Sequence, residues 1–503
     1  MNEYDNVTDS NQNRLSAGSR ELIFGLFAIL LGLFGANAVL FGGFRLGFAV
    51  AAVFSVALSW GYLHRCGFRG SGYTTAIFTL SLIIAAGFGW SADSFVKFWL
   101  FLFLTAGVNL ALCLMAGRNR FTPGSARSLL DALRTIFSLG LGRMGMAERG
   151  IAIAFRSGGA LTQRSGAVLA GLAIAVPVLA VVIPLLISSD AAFEGLVGLL
   201  PDFDLYEIGA TVCFGVLTGL FLYTRAVALA QQEAGEQPWR ERRQLHVLTM
   251  NTALVAVCAV YLLYLFSQLA YFVGGFSGIL PEGFTRATYA RRGFFEMTCL
   301  AGVNLCLMTF GITKVRQENR APGSTRVLCL FLGLVTEFLA FSSMAKMVLY
   351  IGSYGLTRLR VLTMVIMMFL SVTTALVSIW LYMPKLPYMK AVMLIALTIG
   401  AAVLWLDVDT QVAKYNVEHY LSGDLVQIDM NHLSDLGPGA VPYVEILAES
   451  ADPRIRETAR GMLQYWYIAP AEDFRELTVL GQRAAEILER YHPAEAAEVP
   501  DIP

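Results

Sequence analysis

The sequence predicts an all-α fold, a polytopic membrane bundle of about eleven transmembrane helices with a small helical soluble tail. Composition is the first reason. Of 503 residues, 56% are hydrophobic and 15% charged, whereas soluble proteins average about a quarter charged. The second reason is a series of apolar runs long enough to cross about 30 Å of hydrocarbon at about 1.5 Å rise per residue. The third is that basic residues collect in alternate loops. Lys plus Arg and Asp plus Glu each number 37, so no overall basic surface invites nucleic acid.

In chain order, residues 1–21 form a polar segment expected to be disordered. The apolar run from Leu22 contains Ala36-Asn37-Ala38, which has the look of a signal-peptidase site. Hydrophobic sequence nevertheless continues to Leu40 without a strong basic cluster before it, so the run is read as a retained first span. Spans are placed at 22–41, 46–63, 74–90, 97–116, 167–188, 206–229, 248–273, 293–313, 327–350, 361–383 and 390–406. The third and last are short, and Pro177 and Pro184 are tolerable where neighbouring helices satisfy the freed backbone. The transmembrane domain is thus 22–406, and the tail is 407–503.

Loop charge sets the orientation. The loop 117–165 carries Arg118, Arg120, Arg127, Arg134, Arg143, Arg149, Arg156 and Arg164. Alternate loops add Arg65 and Arg69, then Arg240 to Arg243, Lys314 to Arg326, and Lys385 with Lys390. A cytoplasmic N-terminus puts all of these inside, and an odd span count sends the tail outside. Within the basic loop, Leu129, Leu130, Leu133, Ile136 and Phe137 share one face of an amphipathic helix suited to inner-leaflet headgroups. Charge that merely sets topology is the simpler reading.

In the tail, Pro442–Glu449 and Ile455–Leu463 read as an antiparallel helix pair about a turn at Asp452-Pro453, and 472–490 as a further helix. The pair is similar to one HEAT-type unit, but a single unit buries no solenoid face. A generic helix hairpin is the preferred reading.

Ionisable groups inside spans are functional candidates because they are costly there. Glu296 opens one span, Lys346 lies in the last turn of the next, and Glu337 is near that span's middle. Glu296 and Lys346 at similar depth form either an ion pair or the wall of an outer vestibule. In the structural alternative, Glu296 caps its helix and Lys346 snorkels outwards. Asn109, Asn251 and Asn304 are suited to bonds between helices. Ser91-Ala-Asp93-Ser-Phe95 and Ser188-Ser-Asp190-Ala-Ala-Phe193 echo each other. Asp93 and Asp190 either cap following helices or pair with the outer arginines Arg291, Arg292, Arg358 and Arg360. Asp407 and Asp409 are further partners for those arginines.

Seven cysteines and five histidines fall into no disulfide framework or metal-ligand spacing. Neither a phosphate-cradling glycine loop nor a nucleophile elbow occurs. No cofactor is expected, and an enzyme is the less favoured class.

Tyr289-Ala-Arg-Arg-Gly-Phe-Phe-Glu296 with Asn304, Tyr354-Gly-Leu-Thr-Arg-Leu-Arg360, Tyr415-Asn-Val-Glu-His-Tyr420 and the Ser-Ser-Asp motif at Ser188 to Phe193 stand out as motifs. Together with Leu433, Leu436, Gly437, Ala440, Val441 and Pro442, they resemble a widespread bacterial membrane family catalogued only as a domain of unknown function. The resemblance covers about residues 70 to 445. It implies a multi-pass inner-membrane protein with a short C-terminal domain and carries no catalytic role.

Two functional classes follow. In the first, an outer charged vestibule and the tail serve envelope sensing, signalling or scaffolding, with membrane lipids around the bundle and a protein partner on the tail or basic loop. In the second, Glu337, Glu296 and Lys346 serve a proton- or cation-coupled transporter or channel. A transferase acting on lipid-linked substrates, with Asp93 or Asp190 as base, is a third class that no spacing requires.

Overall fold

A computed structural model describes residues 3–125, 127–144, 182, 205–231, 245–276, 294–315, 322–468, 471 and 473–492. Among these no strand occurs. The first helix, α1, runs Glu3–Gly42. It begins well before the apolar run, so the expected disorder of the polar segment is corrected to helix; once a spanning helix is nucleated, each further residue adds one bond. There follow α2 (Leu46–Arg65), α3 (Gly72–Gly87), α4 (Ser94–Met115) and the short α5 (Ser128–Arg134). After these come α6 (Leu205–Gln231), α7 (Val247–Phe276), α8 (Phe294–Lys314), α9 (Gly323–Tyr354), α10 (Arg358–Tyr382) and α11 (Tyr388–Leu406). The described residues hold nine helices long and apolar enough to cross a membrane, and α3 is a shorter apolar helix. The expected span 167–188 lies outside the described residues.

The chain divides into two compact units. The first comprises Met1–Gln237, Gly400–Trp405 and Tyr467–Glu486. Lipid gives helices no hydrophobic drive to associate, so close backbone approach and polar links decide the packing. Glycines supply that approach between α1 and α6. A Cβ on Gly219 would lie 2.7 Å from Ile29 Cα, and one on Gly215 2.6 Å from Leu33 Cα. Gly25 faces Tyr223 and Asn37 reaches Glu207, so the two helices run antiparallel.

One rim of this unit is closed by residues 473–480. Leu46 N–H donates to Leu477 O at 3.0 Å, and Val479 N–H donates to Gly89 O at 3.0 Å. Arg475 Nη1 donates to Glu207 Oε1 at 2.6 Å and Asn37 Oδ1 at 2.5 Å, while its Nε donates to Asp473 Oδ2 at 2.5 Å. These carboxylates hold the Arg475 guanidinium above its ordinary pKa. Trp405 at the end of α11 stacks on Trp90 and donates to Ile83 O at 3.0 Å. The helix expected over 472–490 is therefore shorter. Asp473 caps a 3₁₀ turn at Phe474–Glu476, Leu477 is extended, and the helix proper, α16, is Val479–Leu488.

The described part of the basic loop, to Met144, holds α5 and a π-helical turn over Thr135–Gly140. Leu129, Leu130, Leu133 and Phe137 are exposed, and Asp131 and Thr135 are buried on the opposite side. Asp131 accepts from the backbone N–H of Arg120 at 3.0 Å and of Phe121 at 3.2 Å. Burial pushes its carboxyl upward against those bonds and nearby arginines.

The second unit comprises Pro238–Ile399, Leu406–Trp466 and Ile487–Pro503. Its core packs Met250 and Leu254 of α7, Met308 of α8, Leu332 and Val335 of α9 and Val377 of α10. Leu263, Phe341 and Leu349 are exposed, as lipid-facing side chains are. Its tail helices are α12 (Val408–Ser422), α13 (Met430–Asp435), α14 (Val441–Leu447) and α15 (Pro453–Tyr465). The last two form the expected hairpin, with Asp452 capping α15. Leu433, Ala440, Val441, Val444 and Leu463 are fully buried beneath them.

Candidate functional site

The turn between α9 and α10 is where two sequence motifs meet. Gly355 ends α9 at φ +73°, and a Cβ there would stand 2.5 Å from Asn416 Oδ1. Only glycine adopts that backbone without strain while leaving room for the amide. Asn416, on α12, uses the room: Leu356 N–H donates to its Oδ1 at 2.7 Å and its Nδ2 donates to Leu356 O at 2.9 Å. A side-chain amide thereby satisfies both backbone groups of a residue outside any helix.

One residue on, Thr357 caps α10 and Arg358 opens it. Arg358 Nε donates to Asp409 Oδ1 at 2.6 Å and Nη2 to Oδ2 at 2.5 Å, with the aspartate side chain 5% exposed. This fork-to-fork pair fixes direction as well as distance. Asp409 is placed by Asp407, a non-glycine residue at φ +51° that turns the chain from α11 into α12 and accepts from Thr410 N–H and Oγ1. Arg360 closes the turn by donating to the carbonyls of Tyr354 and Gly355, and its guanidinium lies 4.3 Å from the Tyr350 ring. Tyr354 is exposed beside Tyr350. Arg358, one of the expected outer arginines, thus holds the tail to a pair of spanning helices.

Deeper in the same pair, Glu337 Oε2 accepts from Ser371 Oγ of α10 at 2.5 Å. Its Oε1 is buried with no hydrogen-bond partner among the described residues, as is Thr374 Oγ1 one turn beyond Ser371. Asn304, by contrast, is spent. Tyr261 Oη donates to its Oδ1 at 2.8 Å, its Nδ2 donates to Thr336 Oγ1 at 2.9 Å, and the amide ties α7, α8 and α9 together. Glu296 is exposed in the first turn of α8, and no ion pair joins it to the half-buried Lys346. The first-turn carboxylate of Glu296 meets the helix's positive end, as in the capping alternative.

Asp93 is the N-cap of α4, its Oδ1 accepting from Phe95 N–H at 2.9 Å and Val96 N–H at 3.3 Å. Of the carboxylates offered to the outer arginines, Asp409 takes Arg358. Asp190, Arg291 and Arg292 lie outside the described residues. Sequence reasoning passed over Arg225 and Lys97, both buried inside spanning helices. The cost of a charge in a span was the signal that marks them. Among the described residues no group of His, Cys, Asp and Glu could hold a metal ion.

No curated protein and no solved structure matches the chain. A family model described as a domain of unknown function (DUF4153) matches residues 16–447, from α1 to the end of α14. Both halves of the Arg358–Asp409 clasp lie inside that match, and the chain belongs to this family, DUF4153.

Proposed function

We propose that this is a bacterial inner-membrane protein of about eleven crossings, with a cytoplasmic N-terminus and an extracytoplasmic tail, that works in envelope sensing or scaffolding. Helix ends in the first unit support the count. Asn37, near the end of α1, and Glu207, at the start of α6, meet the same arginine. Arg118, just beyond α4, donates to Leu229 O in the last turn of α6. The end of α4 and the start of α6 therefore lie at opposite rims. The sequence reading of 167–188 as a span, which falls outside the described residues, is compatible with that placement.

The functional reading rests on one observation, the clasp of α12 on the α9–α10 turn. A partner that moves α12 moves the start of α10 with it, which is what a sensor or scaffold linked to the bilayer requires. The test is cross-linking in intact cells with the full chain and with Asp409→Asn. An envelope protein captured by the first and lost from the second supports the reading. An identical cross-linked set in both, and after removal of residues 410–503, rejects it.

The unpartnered Glu337 Oε1 favours a second reading, a proton or cation site between α9 and α10. Proteoliposome flux that is unchanged by Glu337→Gln removes it.

A further inference from the structure

Arg225 carries an inference independent of the clasp. It sits on α6, six residues before Gln231, and is 4% exposed. Its Nη2 donates to Ser59 Oγ of α2 at 2.7 Å, and its Nη1 reaches Asn109 Oδ1 of α4 at 3.4 Å. Both acceptors are neutral, and the second bond is long. The Phe221 ring lies 5.4 Å from the guanidinium carbon. Nε is buried without a hydrogen-bond partner, and among the described residues no carboxylate pairs with the group.

The surroundings are oriented toward it. Ser59 donates its own proton to Ser55 O, and Asn109 Nδ2 donates to Thr105 O. Each thereby turns a lone-pair oxygen to the arginine, and three helices converge on one cation. A guanidinium does not shed its proton at any physiological pH, so burial cannot neutralise it as it can a lysine or a carboxylate. A charge taken out of water requires a counter-charge or a large compensating set of acceptors. Two neutral acceptors for five N–H donors are too few.

We propose that Arg225, its guanidinium held in place by Ser59 and Asn109, binds a small inorganic anion of chloride size at its Nε–H. Near-complete enclosure favours a compact ion over a lipid phosphate, and the idle Nε–H supplies a donor for it.

The test uses the full chain purified in detergent. Its thermal midpoint is measured in sodium chloride against sodium gluconate at constant ionic strength. The wild type is expected to gain about 3 °C, saturably, in chloride. Asn109→Asp places a fixed carboxylate against the guanidinium. This variant is expected to lose the chloride dependence while melting in gluconate at or above the wild type. Arg225→Gln should lose the dependence too; if it does not accumulate, Asn109→Asp alone carries the comparison. A wild type indifferent to chloride overturns the proposal, as does a chloride shift that persists in Asn109→Asp. Stabilisation by phosphatidylglycerol nanodiscs over phosphatidylcholine ones, without any by chloride, also overturns it in favour of a lipid phosphate.

Discussion

Arg358 and Asp409, 51 residues apart, meet through two parallel bonds of 2.6 and 2.5 Å. One residue begins a spanning helix and the other lies in the first turn of the tail. Asp409→Asn leaves the guanidinium facing a neutral amide. The arginine is 32% exposed, so water softens the loss, and we expect about 1–3 kcal/mol of destabilisation. Arg358→Lys keeps the charge but not the fork and should fall between the two. Denaturant or thermal unfolding of the purified chain checks both.

Two glycines near this turn, Gly352 and Gly355, should behave oppositely. Gly355→Ala meets a φ of +73° and the Asn416 amide together, and is expected to cost about 2 kcal/mol. Gly352 is helical, exposed and has nothing within 4 Å of a Cβ. Gly352→Ala should therefore be neutral or stabilising by about 0.5–1 kcal/mol. Equal effects from the two, in the same unfolding measurement, would refute the clasp geometry.

These contacts show what was legible beforehand. The helices were readable because bilayer thickness sets a minimum apolar length, and nine long helices fall where runs were placed. Both clasp motifs were visible as unusual residues, and Asp409 stood among the partners offered to the outer arginines. Spacing gave no means of choosing Asp409 over Asp93, since a contact across 51 residues leaves no periodic trace. Arg225 was hidden differently, inside a run whose average hydropathy masked one costly residue. The break at Leu477 escaped because Leu477, Leu480, Ala484 and Ile487 keep helical spacing through it. That break is imposed by backbone bonds to α2 and to the turn after α3, which local pattern does not encode.

Docking of the 473–480 segment should depend on Glu207. Glu207→Gln removes the charge that Arg475 grips at 2.6 Å. Amide hydrogen exchange is expected to accelerate at Leu46 and Val479, whose N–H groups bond Leu477 and Gly89. Exchange at Leu433, in the other unit, should not change. Uniform acceleration at all three would mean global destabilisation instead.

The basic loop carries a pH dependence of definite sign. Burial raises the Asp131 carboxyl above its unfolded value, so the folded loop favours the protonated form. The contribution is fully present below the unfolded pKa of about 3.9 and declines as pH rises through the folded value. Protection of the 120–135 amides, corrected for intrinsic exchange, should therefore fall as pH rises from about 4. Asp131→Asn should flatten that slope. A slope of the opposite sign would show that the backbone N–H donors outweigh burial.

Leu46 is bonded to Leu477, and Arg45 to the carbonyl of Glu476, 431 positions away. Helices made early are thus completed by residues translated long after them. Until residues 473–479 are made, the Leu46 amide and the Gly89 carbonyl lack their final partners, and Glu207 lacks its arginine. Biogenesis of α1, α2 and α6 must tolerate an unfinished surface through that interval, and a chain cut short before residue 473 would leave it permanently unsealed.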